Sequence, residues 1–140
     1  SHNLPNSLGK LYATFTELLG YKSDNDEWKV MAMSAFNLDC KKEIKKIKKC
    51  YNLFENGKFE LVSKYFEYSN AGNTNHHYTN NLLELFNINN VIHNSSPSKK
   101  QIKIAKALQI CSEEIALHFL EYLYKLTKNK NLVSRSEPKN

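Results

Sequence analysis

Leu8, Leu11, Tyr12, Phe15, Leu18 and Leu19 recur at the i, i+3, i+4, i+7 spacing of one helical face, predicting a first helix that Gly20 ends. Asp24, with Glu27 three residues on, has the form of a capping box and places a second helix start just before Trp28. Trp28, Met31, Ala32, Ala35 and Phe36 are its expected buried stripe, and Asn37-Leu38-Asp39 reads as a break. Cys40, Ile44, Ile47, Tyr51 and Phe54 then form a third stripe, confined to an arc of about 80° on a helix. Beyond the Asn56-Gly57 turn signal, the spacing of Phe59, Val62, Tyr65 and Phe66 suits a short helix packing back on its predecessor. The polar stretch Ser69 to Asn81 reads as an exposed loop, and Leu82, Leu83, Leu85, Phe86, Val91 and Ile92 as a further helix, broken by Ser95-Ser96-Pro97.

Ser98 and Gln101 make a second capping box, opening a long helix to about Lys128. From Ala107 to Leu126 it is apolar nearly all round, except for the stripe Glu114, His118, Glu121 and Lys125, so it belongs at the centre of a bundle. The expected fold class is therefore all-α, a compact bundle or helical-hairpin array of about five to six helices with a long central C-terminal helix. Residues 1–6 are expected to be a disordered N-terminus or tag remnant, 7–128 a single helical domain with its exposed Asn-rich loop at 69–81, and 129–140 a loose tail. Gly57, Phe59, Val62 and Phe66 resemble the second helix of a tetratricopeptide-type hairpin, but no repeat period recurs and the family is not assigned.

Composition changes this picture little. Hydrophobic residues make up 41% of the chain and charged residues 24%, which excludes wholesale disorder. The net charge of +6 is carried almost wholly by lysine, and the joint Lys and Asn bias is what AT-rich coding sequence imposes, which weakens any argument from basicity alone. Three cysteines without C-x-x-C spacing suggest neither a disulfide framework nor zinc, and no apolar run is long enough for a bilayer. The expected setting is intracellular and soluble, cytoplasmic or nuclear, with no cofactor.

Candidate chemistry is sparse. Lys41, Lys42, Lys45, Lys46, Lys48 and Lys49 fan over the side opposite an apolar stripe; with Tyr65 and Tyr68 as exposed anchors they form a candidate surface for an acidic or amphipathic protein segment. The alternative is a basic helical domain that associates with nucleic acid, although arginines and stacking aromatics are missing from that face. Ser98, Lys99, Lys100 and Lys103 crowd a helix start, where free N–H groups and lysines suit an anion, including a phosphate on Ser96. Glu114, His118 and Glu121 share one helical face, as metal ligands in bundles do, but the expectation is a solvated stripe with i, i+4 charge pairing and no metal site. His76-His77 lacks an orienting carboxylate at a defined spacing, Cys50 lacks a partner histidine, and no phosphate-binding loop or nucleophile motif is present. The expectation is a non-catalytic interaction module of scaffold or adaptor type, part of a larger protein, and not an enzyme.

Overall fold

The computed structural model describes residues 4–68, 76–93 and 96–134. Its elements, in order, are α1 (Leu4–Leu18), α2 (Glu27–Met33), α3 (Lys41–Lys48), β1 (Tyr51–Leu53), β2 (Phe59–Leu61), a 3-10 turn (Ser63–Tyr65), α4 (Asn80–Leu85) and α5 (Lys99–Ser134). The fold is mostly helical but mixed, which corrects the all-α expectation.

The correction lies at Asn56-Gly57. Both residues adopt left-handed φ, 62° and 70°, and two such residues in succession twist the chain the way a tight β-hairpin requires. The helix expected to reach Phe54 stops at Lys48, and Tyr51–Leu53 pairs antiparallel with Phe59–Leu61 in the register Tyr51↔Leu61, Asn52↔Glu60, Leu53↔Phe59. Tyr51 and Phe59 point into the core from the two strands, their rings edge-on at 6.2 Å. The segment resembling a tetratricopeptide helix is thus strand β2 and a 3-10 turn. Strands of three residues show too little alternation to oppose a helical reading, so Tyr51 and Phe59 fit either periodicity.

The first helix is as expected. Leu11, Phe15, Leu18 and Leu19 are buried, and Phe15 meets Phe86 edge-on at 5.5 Å. Thr14 and Thr16 are also buried and return their hydroxyls to the carbonyls of Lys10 and Tyr12, which satisfies them inside the helix. Gly20 ends α1 at φ 90°, with Gly20 N–H donating to Glu17 O and Tyr21 N–H to Thr16 O, the two bonds of a Schellman stop.

Helix α2 is turned the other way from its expected stripe. Val30 and Met33 are its buried residues, while Trp28, Met31 and Phe36 stand exposed. A short helix carrying two apolar stripes does not reveal by spacing which one faces inward. The capping arrangement is also only half formed: Glu27 accepts from the Asp24 backbone N–H, but Asp24 has left-handed φ 63° and Asp26 occupies the cap position. The second capping box is complete, with Gln101 N–H on Ser98 Oγ and Ser98 N–H on Gln101 Oε1.

Helix α5 packs against α1, α2 and α3. Ile102, Ile104, Ala105, Leu108, Cys111 and Ile115 are buried, which makes its first half the central rod of the core. Its second half is not central: Leu117, Leu120 and Tyr124 face outward. The helix runs past Lys128 to Ser134. The expected loop at 69–81 lies partly outside the described residues, as does the tail beyond 134 and the segment 1–3.

Candidate functional site

The C-terminal end of α1 supplies a carboxylate to a segment far along the chain. Glu17 Oε2 accepts from the Ser23 hydroxyl at 2.6 Å, and Glu17 Oε1 accepts from the His77 backbone N–H at 2.6 Å. His77 Nδ1 lies 2.9 Å from Glu17 Oε2, but off the line of a hydrogen bond, so this third contact acts by charge when the ring is protonated. Burial alone would push the Glu17 carboxyl up; the bonds from Ser23 and His77 outweigh it and hold the group below its ordinary value. Glu17 is therefore an anchoring carboxylate with its oxygens already occupied.

Residues 76–79 are pinned from the other side as well. Glu67 N–H donates to His77 O at 2.7 Å, Phe66 and Tyr78 form an isolated antiparallel bridge, and the Thr79 hydroxyl donates to Lys64 O. Between this segment and the loop after α1 opens a cleft of about 730 Å³, lined by Glu17, Tyr21, Lys22, Ser23, Asn25, His76, Tyr78 and His93.

Two imidazoles in the cleft have a defined tautomer. His76 Nδ1 is 2.8 Å from Tyr78 O, and His93 Nδ1 is 2.9 Å from Gly20 O. A carbonyl oxygen only accepts, so in each neutral ring Nδ1 carries the hydrogen and Nε2 keeps a lone pair. His76 is further held by stacking on Tyr78, centroids 4.0 Å apart and planes within 5°. Burial, and then the charge of Glu17, push the Tyr78 phenol up, so it stays protonated. A second, more apolar hollow of about 400 Å³ between α1 and the start of α5 offers Lys100 as its one ionisable lining group. The polar cleft brings His76 and His93 together with Glu17 and Tyr78.

The residues singled out from sequence fall elsewhere. Lys41, Lys42, Lys45, Lys48 and Lys49 are exposed on α3, while Lys46 is half-buried over the Phe86 ring and Lys48 pairs with Glu114 at 3.2 Å. Tyr65, expected as an exposed anchor, is buried, whereas Tyr68 is exposed with Lys10 over its ring. Ser98, Lys99 and Lys100 are exposed at the start of α5 and Lys103 is half-buried; Ser98 is used in capping and Lys100 donates to Asn87 O. Glu114 accepts from Tyr51 and pairs with Lys48, and His118 Nε2 donates to Phe54 O, so these groups tie α5 to α3 and the hairpin. Among the described residues, no three His, Cys, Asp or Glu side chains converge as metal ligands.

Cys50 and Cys111 are buried in the core; burial, with Cys111 beside it, pushes the Cys50 thiol up to about 12, and burial foremost pushes Cys111 up to about 11. Neither is a nucleophile near neutral pH. Both are expected to resist alkylation by iodoacetamide in the native protein and to react fully in denaturant; fast native labelling of either, read by peptide mass mapping, would contradict this packing.

A family model described as "Carbamoyltransferase N-terminus" matches residues 1–134. The match places the chain in an enzyme family. It belongs to the carbamoyltransferase N-terminal family, and no curated protein matches it significantly. This overturns the reading as a non-catalytic scaffold, the nucleic-acid alternative and the expectation of no enzyme. The partner type inferred from the lysine face has no support, and among the described residues no helix is long and apolar enough to cross a membrane. The cleft is not legible in the sequence because its groups come from positions 17, 23, 76, 78 and 93, which share no local spacing.

Proposed function

We propose that the chain serves carbamoyl transfer, the passage of an H2N–C(=O)– group from an activated donor to a hydroxyl or amine acceptor, and that the cleft beside Glu17 receives the reacting groups. The observation that carries the activity is the family match across residues 1–134. The cleft supports the location, because attack on a carbamoyl carbon needs a proton acceptor near the nucleophile and donors near the developing oxyanion. His76 and His93 each offer an Nε2 lone pair for the first role. Lys22 and Tyr21 line the same cleft and carry donors for the second. Glu17 acts on these groups indirectly, by holding the segment that carries His76.

The test is an NMR titration of the imidazole signals with carbamoyl phosphate, the simplest activated carbamoyl group. The His76 and His93 signals should move together, and His76→Ala should weaken binding about tenfold, the loss of roughly 1.4 kcal/mol. Nitrogen shifts should also report the Nδ1–H tautomer for both rings. Signals that stay fixed at saturating ligand, while signals elsewhere move, would remove the cleft from the reading.

A further inference from the structure

The apolar hollow of about 400 Å³ opens where three parts of the fold meet: the end of α1, the segment that follows α4, and the start of α5. Its volume lies within the roughly 300–1,000 Å³ of small-molecule sites. Leu18, Leu19 and Ile104 bring the buried core to its wall, Ile88 is half-buried, and Ile92 stands 57% exposed. Three hydrogen bonds fix the surrounding backbone. Gln101 Nε2 donates to Leu19 O at 2.9 Å and ties α5 to α1, while Lys100 Nζ donates to Asn87 O at 2.9 Å and ties α5 to the turn after α4. His93 Nδ1, donating to Gly20 O at 2.9 Å, holds the far end of the 87–93 segment against α1. The hollow is thus shaped before a ligand arrives, and water lying against its leucines and isoleucines finds no hydrogen-bond partner there.

We infer that this hollow binds a small amphipathic monoanion, an aliphatic or aromatic carboxylate whose apolar body lies against Leu19, Ile88, Ile92 and Ile104 and whose charged end meets Lys100. Among the described residues no carboxylate lines the hollow, so a cationic ligand would lose hydration there beside a like charge and gain no counter-charge. Lys100 spends one of its three N–H donors on Asn87 O and keeps two for an acceptor. One lysine offsets one charge, which favours a monocarboxylate over the dianion of a phosphate monoester. The sequence suggests an anion held by Ser98, Lys99, Lys100 and Lys103 together. The fold narrows this to Lys100, the one of these lysines that lines the hollow, while Ser98 Oγ already accepts from Gln101 N–H. This site is separate from the polar cleft, since Ile92 lines the one and its neighbour His93 the other.

Titration of the chain with octanoate, followed by methyl NMR and calorimetry, tests the inference, with octanol and octylammonium as its neutral and cationic arms. Octanoate should bind saturably at one site and move the Ile88, Ile92 and Ile104 methyl signals. Octanol should bind about fivefold more weakly, the modest margin of an exposed and partly screened lysine, and octylammonium more weakly still. Lys100→Gln should bring octanoate down to the affinity of octanol and leave octanol unchanged. Ile92→Ser should weaken both about fivefold through lost apolar contact. Both side chains are exposed, so melting should show the fold retained in each variant. Hollow methyl signals that stay fixed at the highest octanoate concentration, or shifts confined to the exposed Leu117 and Leu120 of α5, would overturn the site. Equal affinity for octanoate and octanol, or octanoate binding indifferent to Lys100→Gln, would overturn the ligand class and with it the inference.

Discussion

Gly20→Ala is expected to cost roughly 3 kcal/mol and to lower the melting temperature by about 10 °C, in a chain where single surface changes normally cost a few tenths. Gly20 sits at φ 90°, where an L-residue with a side chain loses about 1–2 kcal/mol by backbone sterics alone. The larger part comes from space: a Cβ built there would stand 1.9 Å from the Ile92 carbonyl oxygen and 2.9 Å from its carbon. Both are backbone atoms, so no rotamer change relieves the clash, and the 92–93 strand of chain must move away. That displacement breaks the bond between His93 and Gly20 O, one wall of the polar cleft. A thermal melt should therefore fall while the His93 signal loses its fixed tautomer. Gly9→Ala is the control: Gly9 lies inside α1 with nothing within 4 Å of its Cβ position, so the same substitution there should stabilise by about 0.5–1 kcal/mol. Equal effects at the two positions would refute the close approach of Ile92 to the helix end.

Gly20 also marks how far the sequence can be read. A glycine after a run of Leu, Phe and Leu at helical spacing announces a helix stop, and α1 ends there. Nothing local announces Ile92 as its neighbour, since that contact spans the whole middle of the chain. The same division holds elsewhere. The start of α5 was legible because Ser98 and Gln101 act within one turn. The hairpin was misread because Tyr51, Phe54, Phe59 and Phe66 satisfy a helical spacing as well as a strand one over so few residues. Only the paired left-handed φ of Asn56 and Gly57 decides between them, and the Asn-Gly dipeptide was the available signal for it. The stripe of Trp28, Met31 and Phe36 reads as the buried face by its helical spacing, but α2 turns Val30 and Met33 inward. The cleft was least legible of all. His76-His77 lacked an orienting carboxylate only while the search stayed nearby in sequence, whereas Glu17 reaches it through the fold.

Glu17→Ala follows from that reach and should destabilise the chain by about 1–3 kcal/mol, because the His77 N–H and the Ser23 hydroxyl lose their acceptor together. Urea unfolding at neutral pH measures it. The effect should depend on pH in one direction. In the native protein the carboxyl is held below the ordinary glutamate value of about 4.5, so as pH falls through that window the unfolded chain binds more protons than the folded one. The contribution is fully present above about 4.5 and is lost as pH falls through the native value. Wild type and Glu17→Ala should accordingly converge in stability on acidification. Glu17→Gln separates charge from geometry: it retains an oxygen for the His77 N–H, so it should fall between the two at neutral pH and lack the acid-dependent part. If all three proteins lose stability in parallel as the pH drops, Glu17 is not the group that ties His77 to α1 by its charge. If the variants keep the stability of wild type at neutral pH, the carboxylate does not hold the segment that carries His76, and the cleft loses the support that fixes its wall.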